Sequence, residues 1–138
     1  MIDNFMKEYR FLSNFHLAPV EMDGVLYPST EHAYQAAKTL DLELRKEVVD
    51  MTCGSAKRWG QQIKLRPDWE QVKISVMETL VRQKFTRHTD LRDRLLATGD
   101  QELIEGNTWN DTFWGVCKGK GTNHLDKILM KIRTELQL

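Results

Sequence analysis

Cysteine is scarce in this chain: two residues in 138, Cys53 and Cys117, far apart in the sequence. A disulfide-built scaffold is excluded, and both are expected to be free thiols in a reducing compartment. Together with four scattered histidines they offer no metal-ligand spacing, so the sequence calls for no metal and no organic cofactor. Net charge is also missing, since 20 Lys and Arg balance 20 Asp and Glu. Gripping a nucleic-acid backbone rests on uncompensated basic residues, so that is not this chain's main work. A small phosphorylated ligand needs only a local cluster and stays open. No apolar run is long enough to span a bilayer. The opening Met1-Ile2-Asp3-Asn4-Phe5 lacks a basic stretch followed by an apolar one, so no signal peptide is expected and the cytoplasm is the default. There is no repeat, low-complexity tract or linker, and nothing points to a membrane or to an obligate protein partner.

What is there is ordinary for a soluble globular domain: 41% hydrophobic and 29% charged residues. A chain of this size buries roughly two thirds of the surface its unfolded form exposes. The opening segment is not helical in pattern. Val20-Glu21-Met22 and Val25-Leu26-Tyr27 flank Asp23-Gly24, a two-residue hairpin signal, with Pro28 ending the second strand. Ser29 or Thr30 can cap a helix starting near Glu31, with Ala33, Tyr34, Ala37 and Leu40 on its apolar face. Short helices are expected over 43–51 and 55–63. The longest helical pattern runs from Trp69 to Phe85, with Asp68 as cap and Trp69, Val72, Val76, Met77, Leu80 and Phe85 at helical spacing. Another helix spans 90–97 and stops at Gly99; residues 102–105 read as a short strand and 106–121 as loop. Asn123 can cap a last helix with Leu125, Ile128, Leu129, Ile132 and Leu136 on one face. The expected fold is mainly α: a single compact helical domain, residues 1–138, with a small β-hairpin near the N-terminus.

Four segments carry more polar and aromatic side chains than packing needs: Phe11-Leu12-Ser13-Asn14-Phe15, residues 30–38, residues 110–115 and residues 119–125. Glu31 in a first helical turn is either an acid that complements the helix dipole or a carboxylate that serves chemistry at a ribosyl C1. Glycoside cleavage passes through an oxocarbenium-like state, which carboxylates stabilise. Asp111 is the second such candidate, against the plain reading of a turn-forming loop Asp. The glycine-rich stretch 119–123 feeds a helix start, where free N–H groups and Lys120 suit a phosphate. Its plain reading is a flexible connection. Trp69 reads as core, whereas Trp114 beside Gly115 reads as a face on which a base ring can stack, and Phe15 can do the same.

In order, these pieces resemble the YbiA-like family, also called the NADAR family. The likeness runs from Phe11-Leu12-Ser13-Asn14-Phe15 through Thr30-Glu31-His32, Tyr34-Gln35-Ala36 and Lys38. It continues through Asp68-Trp69, Val72-Lys73, Met77, Lys84-Phe85 and residues 95–100. It closes with Asp111, Trp114-Gly115, Gly121-Thr122-Asn123, Leu129-Met130 and Arg133. The resemblance implies a mainly helical fold and N-glycosidase chemistry on phosphorylated ribosylamine intermediates of riboflavin biosynthesis, releasing ribose 5-phosphate. It also leaves open removal of ADP-ribose from a modified guanine nucleobase, or binding of ADP-ribose or NAD without turnover. By motif, it places the family's acids on Glu31 and Asp111, expected to be catalytic, and its site tryptophans and asparagine on Trp69, Trp114 and Asn123. With these, the expected substrate contacts are Asn14, Phe15, His32, Lys38, Gly115 and Lys120. One departure stands out: where the family usually has glycine three residues after that asparagine, this chain has Asp126. An acid in a first helical turn disfavours a phosphate there.

Overall fold

The structure is a computed structural model that describes residues 1–107 and 111–138. The fold is mainly helical with a small antiparallel hairpin near the N-terminus. The chain divides into two compact units, one of Met1–Ser13 with His88–Leu138 and the other of Asn14–Arg87.

The second unit opens with the hairpin. Strands β1 (Leu17–Met22) and β2 (Val25–Ser29) pair antiparallel, Met22 opposite Val25. Asp23 (φ 50°) and Gly24 (φ 82°) make the turn in the left-handed conformations that suit the twist of a two-residue hairpin. Pro28 lies within β2 rather than ending it. The strand runs on to Ser29, which caps α1 (Thr30–Ala36) by accepting the His32 N–H at 3.2 Å. Every residue of α1 is buried, because β1, β2, α3 (Cys53–Gln62) and α4 (Trp69–Arg87) all pack against it. Leu40, expected on the apolar face, is exposed, since α1 has ended by then.

Helix α2 (Leu42–Glu47) is shorter than the expected 43–51. Asp41 caps it by accepting from Glu43 and Leu44, and the chain continues past Glu47 in tight turns with i→i+3 bonds. Thr52, accepting from Ser55, starts α3 two residues earlier than expected. Asp68 does not spend its carboxylate capping α4; both oxygens accept from Arg66, at 2.6 and 3.0 Å. Trp69, Met77, Leu80 and Phe85 are buried along α4, as the helical spacing predicts, and Val72 and Val76 are half-buried.

The first unit contains a 3-10 helix at Lys7–Leu12, where no helical pattern was expected. A single 3-10 segment has three residues per turn and leaves no 3.6-residue signature. Helices α5 (Thr89–Ala97) and α6 (His124–Gln137) pack together around Leu91, Leu95, Leu125, Leu129 and Ile132. The expected strand at 102–105 is reduced to one bridge, Leu103 to Ile2. Conversely, the expected loop contains a short parallel pair, β3 (Gly106–Asn107) with β4 (Val116–Cys117). No helix among the described residues is long and apolar enough to cross a membrane.

Candidate functional site

In the Asn14–Arg87 unit, α1 carries most of the expected site residues. Glu31 is 7% exposed, far below the usual range for an acid at a helix start. Its N–H donates to the Asn14 carbonyl at 3.1 Å, so the Asn14 segment pins the beginning of the helix. The Asn14 side chain is buried and donates to Met77 Sδ. One turn on from Glu31, Gln35 donates its amide to Glu31 Oε1 at 2.8 Å. Lys38 follows just past the end of α1 and is half-buried. Desolvation holds its ammonium below the usual lysine range; the Glu31 charge opposes this, and Lys57 and Lys73 add to it. Lys38 Nζ lies 5.7 Å from the Tyr34 ring centroid, and Tyr34 packs at 5.3 Å against Trp69. Trp69 is 4% exposed, so packing is its visible role. Phe15 is half-buried, and its carbonyl accepts from Cys53.

His32 stands apart from the other expected contacts. Its Nε2 lies 2.6 Å from the Met51 carbonyl, which can only accept, so Nε2 carries a proton. Nδ1 lies 2.6 Å from Ser29 Oγ. Both ring nitrogens are thus engaged inside the fold, and the ring ties the start of α1 to the turn before α3.

The remaining expected residues belong to the other unit. Asp111 Oδ1 accepts from Phe113 and Trp114 at 3.2 and 2.9 Å, a turn built by an aspartate on its own backbone. Asn107, which sequence reasoning passed over, clasps that residue in both directions. Its Nδ2 donates to the Asp111 carbonyl at 2.9 Å and its Oδ1 accepts the Asp111 N–H at 3.0 Å. Asn110, expected in the same segment, lies outside the described residues. Trp114 is half-buried beside Phe113 and His124, with centroids at 4.7 and 6.3 Å. Gly115 is required for packing, because a Cβ there would press on the Glu105 carbonyl and the Asn107 amide.

At the expected phosphate cradle before α6, several donors are bonded within the fold. The N–H groups of Thr122, His124 and Leu125 donate to the carbonyls of Thr112, Phe113 and Trp114, at 2.7, 3.0 and 3.0 Å. Lys120 is exposed at the end of a tight turn, where its backbone exchanges two hydrogen bonds with Cys117. Asn123 precedes α6 in a left-handed conformation and makes no side-chain cap, contrary to expectation. Its Oδ1 is buried without a hydrogen-bond partner, an acceptor the fold leaves unused. Asp126, by contrast, is fully buried and accepts the Glu105 N–H.

A family model described as the NADAR domain matches residues 3–137, and the chain belongs to that family. The N-glycosidase YbiA of Escherichia coli (strain K12) is 40% identical over 135 residues, covering 95% of this chain and 84% of the relative. An N-glycosidase of Nostoc punctiforme is 34% identical over 137 residues, covering 94% of this chain and 86% of the relative. A riboflavin biosynthesis protein of Vibrio vulnificus is 39% identical over 135 residues, covering 95% of this chain but 36% of that longer protein. Among solved structures, the NMR structure of E. coli YbiA superposes with a TM-score of 0.85 at 37% identity, over 99% of this chain and 87% of that one.

Proposed function

We propose that this enzyme hydrolyses the N-glycosidic bond of phosphorylated ribosylamine intermediates of riboflavin biosynthesis, releasing ribose 5-phosphate. The enzyme class rests on the relatives: the chain is a hydrolase of N-glycosyl bonds, as are the proteins named N-glycosidase at 40% and 34% identity. The substrate class draws on the relative named as a riboflavin biosynthesis protein. Residues 1–138 act as one domain of this family.

The observation that carries the reading is the Glu31 carboxylate. It is buried at 7% exposure, held by an amide donor at 2.8 Å, and near enough to Lys38 to act on that ammonium. Keeping a carboxylate in such a place costs desolvation, and function is the usual reason for bearing it. In the reaction, water adds its oxygen to C1 of the ribose as the C1–N bond breaks. Glu31 orients the water, takes its proton and stabilises the positive charge on the ring; the proton ends on the departing nitrogen. Lys38 supplies a cation to the substrate phosphate. Asp111, Trp114 and Asn123 enter on the motif resemblance, Asn123 with its unused acceptor in support.

The test is incubation of the protein with a phosphorylated ribosylaminopyrimidine and, separately, with ADP-ribosylated guanosine, with mass detection of released base and sugar phosphate. Turnover of the first, reduced about 100-fold or more in folded Glu31→Gln, is expected. Turnover of the second substrate alone would replace the reading by ADP-ribose removal, and parental turnover in Glu31→Gln would end the assignment of Glu31.

A further inference from the structure

We propose that Gln35 is a positioning residue for the hydrolysis, fixing the Glu31 carboxylate through its amide, and that Gly60 on α3 supplies the space that amide needs. The proposal rests on the reading of Glu31 given above. Glu31 and Gln35 are four residues apart on one helical face, where side chains meet. A carboxylate only accepts, so the 2.8 Å contact sets the orientation of the Gln35 amide: its NH2 group faces Glu31 and its carbonyl faces away. That carbonyl, Oε1, is buried and has no hydrogen-bond partner. A partnerless buried carbonyl is destabilising, and an apolar side chain of the same shape would avoid the penalty. Packing alone therefore does not account for a glutamine here, whereas the N–H on Glu31 does.

Gly60 completes the arrangement. It is buried on α3, and a Cβ at that position would overlap Gln35 Oε1 and stand 3.3 Å from Lys38 Nζ. The missing side chain thus admits the Gln35 carbonyl, while the contact with Glu31 sets which way the amide faces. Glu31 and Gln35 share one face of α1, and the side chains of Gln35 and of Lys38, just past the helix end, both reach the bare helix at Gly60.

The decisive variants are Gln35→Met, which keeps length and removes the donor, Gly60→Ala, and Gly60→Ala combined with Gln35→Ala. Each is compared with the parent and with Glu31→Gln by thermal melting and by kcat/KM against pH. Gln35→Met is expected to melt no lower than the parent and to lose about 10-fold or more in kcat, with little change in KM. The acid limb of its profile should move to higher pH, because a donor favouring the ionised carboxylate has gone. Gly60→Ala should melt lower and show the same displaced limb. Adding Gln35→Ala should restore the melting temperature without restoring kcat. A parental kcat and pH profile in Gln35→Met, beside a Glu31→Gln that has lost turnover, would overturn the proposal and leave the reading of Glu31 standing. Full turnover by Glu31→Gln would remove both.

Discussion

The Asp126 carboxylate accepts the Glu105 backbone N–H at 2.6 Å, with none of its surface open to solvent. Burial pushes its pKa up to about 8; the Glu105 N–H opposes the rise, and the charges of Glu105 and Asp111 add to it. In the unfolded chain an aspartate titrates near about 3.9. Between about pH 4 and 8 the native state therefore holds a proton that the unfolded state has released. Stability from this group is full below that window and falls as pH rises through it, by at most about 1.4 kcal/mol per unit. Asp126→Asn keeps the acceptor and removes the proton equilibrium. Urea midpoints from pH 5 to 8 should be flatter in the variant, which should exceed the parent in stability at pH 8. An unchanged slope would mean that native Asp126 is already ionised.

Two tryptophans should separate packing from recognition. Trp69→Ala is expected to cost roughly 3 to 5 kcal/mol of stability, as removal of a large buried aromatic does. Trp114, half-buried beside Phe113 and His124, should cost less stability and roughly 1 to 3 kcal/mol of affinity if a base stacks on it. Trp114→Phe should keep part of the binding and Trp114→Leu should not. Melts and ligand titrations on all three variants check this; equal binding by Trp114→Phe and Trp114→Leu would exclude stacking.

Ser29 serves α1 twice, accepting the His32 N–H and meeting His32 Nδ1 at 2.6 Å. Ser29→Ala removes the cap and leaves the buried ring nitrogen only the weak Cys53 Sγ contact at 3.9 Å, a loss of about 1 to 3 kcal/mol. Denaturation should show that loss without a change in slope, and a neutral result would show that water replaces the hydroxyl.

Lys120 is exposed, and its own N–H and that of Thr122 are already bonded within the loop. Lys120→Ala should therefore leave unchanged the ratio of KM values for phosphorylated and dephosphorylated substrate. A rise confined to the phosphorylated substrate would return Lys120 to the phosphate site.

The helices and the hairpin were legible because their signals are local. Asp23-Gly24 fixes a turn type, and Trp69, Met77, Leu80 and Phe85 keep a period. Glu31 and Lys38 were singled out by motif, but that α1 is buried on every side was not, since burial of Thr30, Glu31, His32 and Gln35 comes from the separate elements packing around it. The clasp of Asn107 on Asp111 also escaped, because an asparagine in a loop carries no signal of what it will bind. The engagement of part of the phosphate cradle was hidden for a related reason: the carbonyls of residues 112–114 return to meet the N–H groups of Thr122, His124 and Leu125, and a glycine-rich loop does not announce that.

A seven-residue helix such as α1 is too short to persist by itself in water. It exists because its surroundings exist, so its amide hydrogens should exchange only when those surroundings open together. Glu31 is thus carried on a helix whose order depends on the elements packed around it. Loss of turnover on heating should then track the cooperative transition of that unit, and the enzyme reports its own integrity through its activity.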